Sequence, residues 1–160
     1  MRAGIDAPVR ILFVCSGNIC RSPLAEALFK RKAEEAGLLG RFHVDSAGTH
    51  DYHEGQPADA RACRVARRHG LDVTSIARPV IDQDFDRFDL IVAMDRGHRR
   101  DLRARAGRAR EGKIRLMRDF DPDSVGQDVP DPYYDGEPAF EEVLSILEPA
   151  CRGLLESLRP

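Results

Sequence analysis

Long apolar runs are missing from this 160-residue chain, and none approaches the roughly 20 residues that a membrane-spanning helix needs. The first ten residues, MRAGIDAPVR, hold no apolar segment of signal-peptide length, so no leader is expected. An excess of one charge is missing too. Lys and Arg total 25 against 27 Asp and Glu, a formal net charge of −2, which speaks against nucleic acid or a membrane surface as partner. Cysteine is sparse: Cys15, Cys20, Cys63 and Cys151 do not make a disulfide framework for a chain this long. Reduced thiols and a cytoplasmic location are expected. Cys15 and Cys20 lack a second nearby pair of Cys or His, and His50 and His53 lack a third ligand, so no metal site is expected. The nucleotide-binding pattern GxxxxGK[ST] is absent. Lysine is limited to Lys30, Lys32 and Lys113, which leaves arginine as the main cation. What remains, with 42% hydrophobic and 32% charged residues, suits one globular domain over 1–160.

The stretch Val9–Pro23, VRILFVCSGNICRSP, organises the rest. Val9–Val14 is a short apolar run and predicts a parallel strand buried on both faces. A polar turn follows, then a helix to about Ala36 with Ser22 as N-cap and Pro23 at its first position. Further strands are expected at Phe42–Ala47, Phe88–Met94 and Lys113–Met117, and helices at about 58–69, 97–106 and 139–158. Val73–Pro79 reads as irregular, 119–138 as a long loop, and Pro149 should break or kink the last helix. Alternating strands and helices predict a three-layer α/β fold, a four-stranded parallel sheet with helices on both faces. Ligands of such sheets bind beyond the carboxyl ends of the strands, where Cys15, Ser46 and Asp95 fall. The run from His98 to Arg110 is rich in arginine; it reads as a solvated helix face or as a docking patch for an acidic partner.

Cys15-Ser16-Gly17-Asn18-Ile19-Cys20-Arg21-Ser22 joins a strand end to a helix start. Unpaired backbone N–H groups there make an anion site. Five residues between Cys15 and Arg21 suffice to curl successive N–H groups inward as a nest, and Gly17 and Asn18 tolerate the left-handed backbone such a curl needs. A thiol at a helix N-terminus beside arginine is the environment that makes cysteine a nucleophile. The planar fork of Arg21 can hold two phosphoryl oxygens, and the Ser22 hydroxyl can donate to a thiolate. Attack of sulfur on a cradled phosphate ester fits this set. A leaving alkoxide or phenolate needs a proton. Asp131, stiffened by Pro130 and Pro132 and set beside Tyr133 and Tyr134, is a candidate acid. On the residues alone, a turn of solvated carboxylates stays open as the other reading.

Cys15–Pro23 resembles the active-site loop of the low-molecular-weight protein tyrosine phosphatases. Val44-Asp45-Ser46-Ala47-Gly48-Thr49, Ala93-Met94-Asp95 and Asp131-Pro132-Tyr133 resemble three further motifs of that family, in the same order. The resemblance implies flavodoxin-like winding and hydrolysis of phosphotyrosine and small aryl phosphates through a phosphocysteine, with no metal or cofactor. The partners implied are a phosphotyrosine-containing protein and, as product, inorganic phosphate. Cys15 would be the nucleophile, Arg21 the phosphate ligand and Asp131 the acid. Residues 16–22 would bind phosphate, with Asn18, Ser22 and Ser46 in a supporting hydrogen-bond network. Cys20 would be a redox partner of Cys15, and Tyr52 and Tyr133 would wall the pocket. Asp95 matches a family position without a clear role. Members often carry His where this chain has Ser75, so a weaker or differently wired loop network is expected there.

Other functions stay open on the residues. Arginine phosphatases of the same fold tend to carry Thr where this chain has Ile19, which leaves room here for a flat phenyl ring. Arsenate reductases of the fold need extra cysteines, usually near the third strand, and this chain has none between Cys63 and Cys151. Those two read as packed core thiols. A non-catalytic phosphopeptide-binding module would need neither a nucleophile nor an acid.

Overall fold

The computed structural model describes residues 7–159. Residues 1–6, over which no leader was expected, and the last residue of the expected 1–160 domain lie outside the described residues. Strands β1 (Val9–Cys15), β2 (Phe42–Gly48), β3 (Leu90–Ala93) and β4 (Ile114–Leu116) form one parallel sheet in the order β2-β1-β3-β4. Helix α1 (Arg21–Glu35) links β1 to β2. Helices α2 (Ala60–Arg68) and α3 (Asp84–Arg87) precede β3, α4 (Arg96–Ala106) precedes β4, and α5 (Glu137–Leu158) ends the chain. The order is that of flavodoxin-like sheets without a fifth strand.

β1 is central because its sequence is apolar on both faces. Ile11, Phe13 and Cys15 belong to a core with Leu24 and Phe29 of α1 and Phe140 and Leu147 of α5. Leu12 and Val14 turn the other way, to Phe85, Phe88 and Leu102 around α3 and α4. Two cores thus clamp one strand, and the end of that strand is Cys15. β2 pairs on one side, Cys15 opposite Gly48, and β3 on the other, Val14 opposite Ala93. That divergence opens a crevice at the carboxyl ends of β1 and β3.

Several local expectations change. α1 starts at Arg21, so Ser22 lies in its first turn and is not its cap. The short α3 follows the irregular segment at 73–79; its four residues carry no helical period to read. α5 runs unbroken through Pro149. Leu147, Ala150, Cys151 and Leu154 around the proline are fully buried, and their packing holds the axis. The carbonyl freed by the proline is that of Ser145, an exposed residue, so solvent can satisfy it. The arginines of and after α4 are matched by acids: Arg96 by Asp128, Arg99 by Asp119, Arg105 by Asp82 and Arg110 by Asp86. This is a solvated, charge-matched face. His98 is the exception and is buried. Among the described residues no helix is long and apolar enough to cross a membrane.

Candidate active site

The loop after β1 is a closed hydrogen-bonded turn. Asn18 takes the left-handed conformation, φ 59°, and its side chain works in two directions. Its Nδ2 donates to Ser22 Oγ at 2.8 Å, and its Oδ1 accepts the backbone N–H of Arg78 at 3.1 Å. Ser22 Oγ lies 3.0 Å from Cys15 Sγ. Since that hydroxyl already accepts from Asn18, its own hydrogen is free to point at sulfur. The backbone N–H of Ser22 also approaches Cys15 Sγ, at 3.4 Å. Cys15, at the end of β1, is therefore a buried sulfur with two donors aimed at it from the first turn of α1.

Gly17 does not use left-handed backbone, contrary to expectation; Asn18 alone supplies that turn. What Gly17 provides is room, because a Cβ there would meet His53 Cδ2 at 2.8 Å. Gly48 on β2 matters in the same way. A Cβ there would stand 2.7 Å from the Ser16 carbonyl and 2.9 Å from that of His50. The next two N–H groups beyond β2 fasten the loop: Thr49 donates to the Cys15 carbonyl at 2.9 Å and His50 to that of Ser16 at 3.0 Å.

Arg21 is buried and held by the segment after β3. Its Nη1 donates to Asp95 Oδ2 at 3.1 Å and to the Val129 carbonyl at 3.0 Å. Its Nε has no partner, and its Nη2 lies 3.8 Å from Asp131 Oδ2. One edge of the guanidinium is thus anchored, and the Nε–Nη2 edge is free for an oxyanion pair. Asp95, whose role the sequence left open, does two jobs. It anchors Arg21, and it caps α4 through the His98 backbone N–H at 2.8 Å. His98, which sequence reasoning folded into a solvated arginine run, reaches Ser16 Oγ with Nε2 at 2.8 Å. Burial holds its imidazole below the usual histidine range, against the nearby Asp95 carboxylate. The only signal available was its position three residues after Asp95.

The supporting network departs from expectation at Ser46. Ser46 Oγ donates to Glu26 Oε1 at 2.6 Å and makes no side-chain bond to Asn18 or Ser22. Ser75 Oγ is buried and unpartnered, so it does not brace the loop. The brace is the backbone of Arg78, whose side chain is fixed by Asp45 and Asp84 at 3.0 and 2.9 Å. A backbone donor needs no particular side chain, which is why the serine substitution leaves the loop held.

Asp131 reaches the site on a separate segment. Val129 N–H donates to the Met94 carbonyl at 2.8 Å, so the chain after β4 returns to the end of β3. Asp131 Oδ1 accepts the N–H of Tyr133 at 3.0 Å, a tight turn within the segment. Its side chain is 45% exposed, against 4% for Arg21. Cys15, Ser16, Gly17, Ile19, Cys20, Arg21 and Asp131 line one cavity of 380 Å³. Tyr52 and Tyr133 line it too, together with Tyr134, His50 and His53. His50 stacks on Tyr52 with ring centres 4.8 Å apart, and His53 faces Tyr133 at 6.2 Å. The two histidines are therefore part of the rim.

The other thiols differ from Cys15. Cys20 is pushed well above the usual thiol range by burial, with the negative groups Cys15, Asp59 and Asp131 adding to it. Cys151 is fully enclosed and pushed up to about 12 by that burial. Cys63 is only partly buried, so its expected place in the core is not met; it lies on the flank of α2, with its sulfur near the Ala58 carbonyl.

Comparison with known proteins matches this geometry. Residues 10–160 fit the family model for low molecular weight phosphotyrosine protein phosphatases. A low molecular weight protein-tyrosine-phosphatase of Streptomyces coelicolor is 48% identical over 153 residues, covering 94% of this chain and 93% of that one. The crystal structure of a protein tyrosine phosphatase from Entamoeba histolytica, with Hepes in its active site, superposes with a TM-score of 0.91 at 46% identity. That match covers 94% of this chain and 96% of the other. YfkJ from Bacillus subtilis superposes with a TM-score of 0.90 at 42% identity, over 97% of each chain. The chain belongs to the low molecular weight phosphotyrosine protein phosphatase family.

Proposed function

We propose that this protein hydrolyses phosphotyrosine in protein substrates, and small aryl phosphates, with Cys15, Arg21 and Asp131 as the catalytic residues. The observation that carries the reading is the free Nε–Nη2 edge of Arg21 above a sulfur held by two donors. The phosphoryl dianion sits in the 16–22 nest with two oxygens on Arg21. Cys15 sulfur attacks phosphorus, the ester P–O bond breaks, and Asp131 gives its proton to the leaving phenolate. Ser22 stabilises the sulfur both as it arrives and when it leaves. Water then attacks phosphorus, Asp131 takes a proton from it, the S–P bond breaks, and inorganic phosphate departs. Tyr52 and Tyr133 accept the flat ring of the substrate, and Ile19 lines the cavity with an apolar surface. In this reading Cys20, a thiol on the same loop, is the redox partner of Cys15 once an external oxidant acts on the pair.

The test is turnover of an aryl phosphate by purified protein, beside phosphoarginine as the competing substrate. Cys15→Ser should lower the rate by roughly 10³-fold or more, the scale of losing one member of a catalytic unit. In kcat/KM, which reports the step that expels the leaving group, Asp131→Ala should lose roughly 10²-fold on leaving groups that need a proton and little on those that do not. Turnover surviving in Cys15→Ser removes the cysteine mechanism. Faster turnover of phosphoarginine reassigns the substrate.

A further inference from the structure

The acid segment is anchored at its upstream end by Val129 and Asp128. Its downstream end has one side-chain anchor with several contacts, and that anchor comes from α2. Arg61, in the first turn of α2, donates Nη1 to the Asp135 carbonyl at 2.8 Å and Nη2 to the Tyr133 carbonyl at 3.0 Å. Its plane lies over two rings, 5.5 Å from the centre of Tyr133 and 4.6 Å from that of Phe140. The rest of the fork is taken by Asp59: Nε to Oδ1 at 3.0 Å and Nη2 to Oδ2 at 2.9 Å. Asp59 is itself fixed as the N-cap of α2, accepting the Arg61 backbone N–H at 2.8 Å. Its own backbone N–H donates to the Ile19 carbonyl, inside the nucleophile loop, at 2.9 Å. The first turn of α2 is thus bonded on one side to the loop that carries Cys15 and on the other to the turn that carries Asp131.

We infer that Arg61 is a positioning residue that sets the acid Asp131 relative to the nucleophile loop; the inference rests on the acid role proposed above for Asp131. The reasoning is geometric. Asp131 is bonded to Tyr133 N–H, so a shift of the Tyr133 backbone moves the carboxyl with it. Pro132 is the one buried residue of this turn; Tyr134 is 89% exposed and Asp135 is exposed, so beyond the Pro132 ring it is Arg61 that fixes the Tyr133–Asp135 backbone. Proton transfer to a leaving oxygen needs hydrogen-bond reach, and a displacement near 1 Å can cost about 10²-fold. Lysine cannot replace the arginine, because a single ammonium cannot bridge a carboxylate and two carbonyls in one plane. The bond to Asp59 also holds the Asp59 carboxyl below the ordinary carboxylate range, chiefly through the side-chain hydrogen bonds from Arg61.

The experiment measures kcat/KM, which reports the steps up to loss of the leaving group and not the later hydrolysis of the phosphocysteine, for aryl phosphates spanning good to poor leaving groups in wild type, Arg61→Ala, Arg61→Lys, Asp131→Ala and Arg61→Ala/Asp131→Ala. For Arg61→Ala the loss should reach roughly 10- to 100-fold on poor leaving groups and be small on good ones, whose unimpaired rate also shows an intact fold. Arg61→Lys should follow the same selective pattern, and it carries the test if the alanine variant does not fold. In the Asp131→Ala background, Arg61→Ala should add no more than roughly twofold, since both act through one proton. A loss equal across leaving groups, no loss at all, or losses that multiply in the double variant overturns the inference. If Asp131→Ala is itself unselective, the acid reading falls and this inference falls with it. If Asp131→Ala is selective and Arg61→Ala is not, only this inference falls.

Discussion

The nucleophile loop and the acid turn meet in one cavity but are built differently. Residues 15–22 close on themselves within one short span, through Asn18 to Ser22 and Ser22 to Cys15, and nearly all of it is buried. The acid turn at 130–136 has few internal bonds, side chains that are exposed apart from Pro132, and anchors borrowed from Met94 after β3, from α1 and from α2. The first is pre-organised by its own residues, as suits a site that must receive a dianion with donors already aimed. The second is positioned from outside, as suits a group that must act on two different oxygens in succession. In kcat/KM, damage to the first should hurt every substrate equally, and damage to the second only those whose leaving group needs a proton.

The strongest challenge to that contrast is Gly48→Ala. A Cβ at Gly48 meets backbone, not a side chain that could swing away, so the Ser16 carbonyl and the loop must shift. The expected loss in kcat/KM is about 10²-fold on every aryl phosphate, whatever its leaving group. A leaving-group-dependent loss would erase the distinction. Asn18→Ala should act more mildly and in the same uniform way. It removes two side-chain hydrogen bonds and sets a Cβ residue with less tolerance in a left-handed turn. About a tenfold loss in rate and about 1–2 kcal/mol in unfolding free energy are expected, from steady-state kinetics and urea titration.

The smallest effect concerns His98, which touches the nucleophile loop from behind through Ser16. Its imidazole is held below its ordinary value by burial, beside Asp95, Arg21, Asp101 and Asp131. The folded protein therefore binds this proton less readily than the unfolded chain. The stability associated with the neutral ring is fully present above the ordinary histidine value near 6.5 and is lost as pH falls from there through the lower folded value. His98→Gln should flatten this part of the acid limb, reducing the fall in Tm between pH 7.5 and about 5 by on the order of 2–4 °C. An unchanged slope would show that the loop is not sensitive through this residue.

The same contrast explains what could be read in the sequence. The nucleophile loop was legible because its chemistry is local: thiol, left-handed residue, hydroxyl and guanidinium fall within eight positions at the end of an apolar run. The sheet was legible for the same reason, since β1 is apolar on both faces and declares itself central. Asp131 could be named, but not what holds it. Nothing in Ala60–Arg68 marks Arg61 among its arginine neighbours, since the difference lies in partners about 70 residues away. His98 hid in a charged run because burial is a tertiary property. Ser75 leaves open how the loop is braced, and the fold uses the Arg78 backbone. Pro149 invited a break that packing on both sides of it prevents.

The anchors of Arg21 have a consequence for how the protein comes into being. The residue reaches 74 positions forward to Asp95 and 108 positions forward to Val129. During synthesis the thiol and its arginine emerge well before the carbonyl that fixes the guanidinium and the carboxyl proposed above as the acid. Contacts of such span close late, because the loop entropy between them must be overcome before they stabilise anything. A growing chain thus carries Cys15 well before the long-range contacts that complete the site can form. Competence arrives late, with the return of the segment after β4 to the end of β3, and a chain cut before Asp128 would keep the signature of the enzyme without its function.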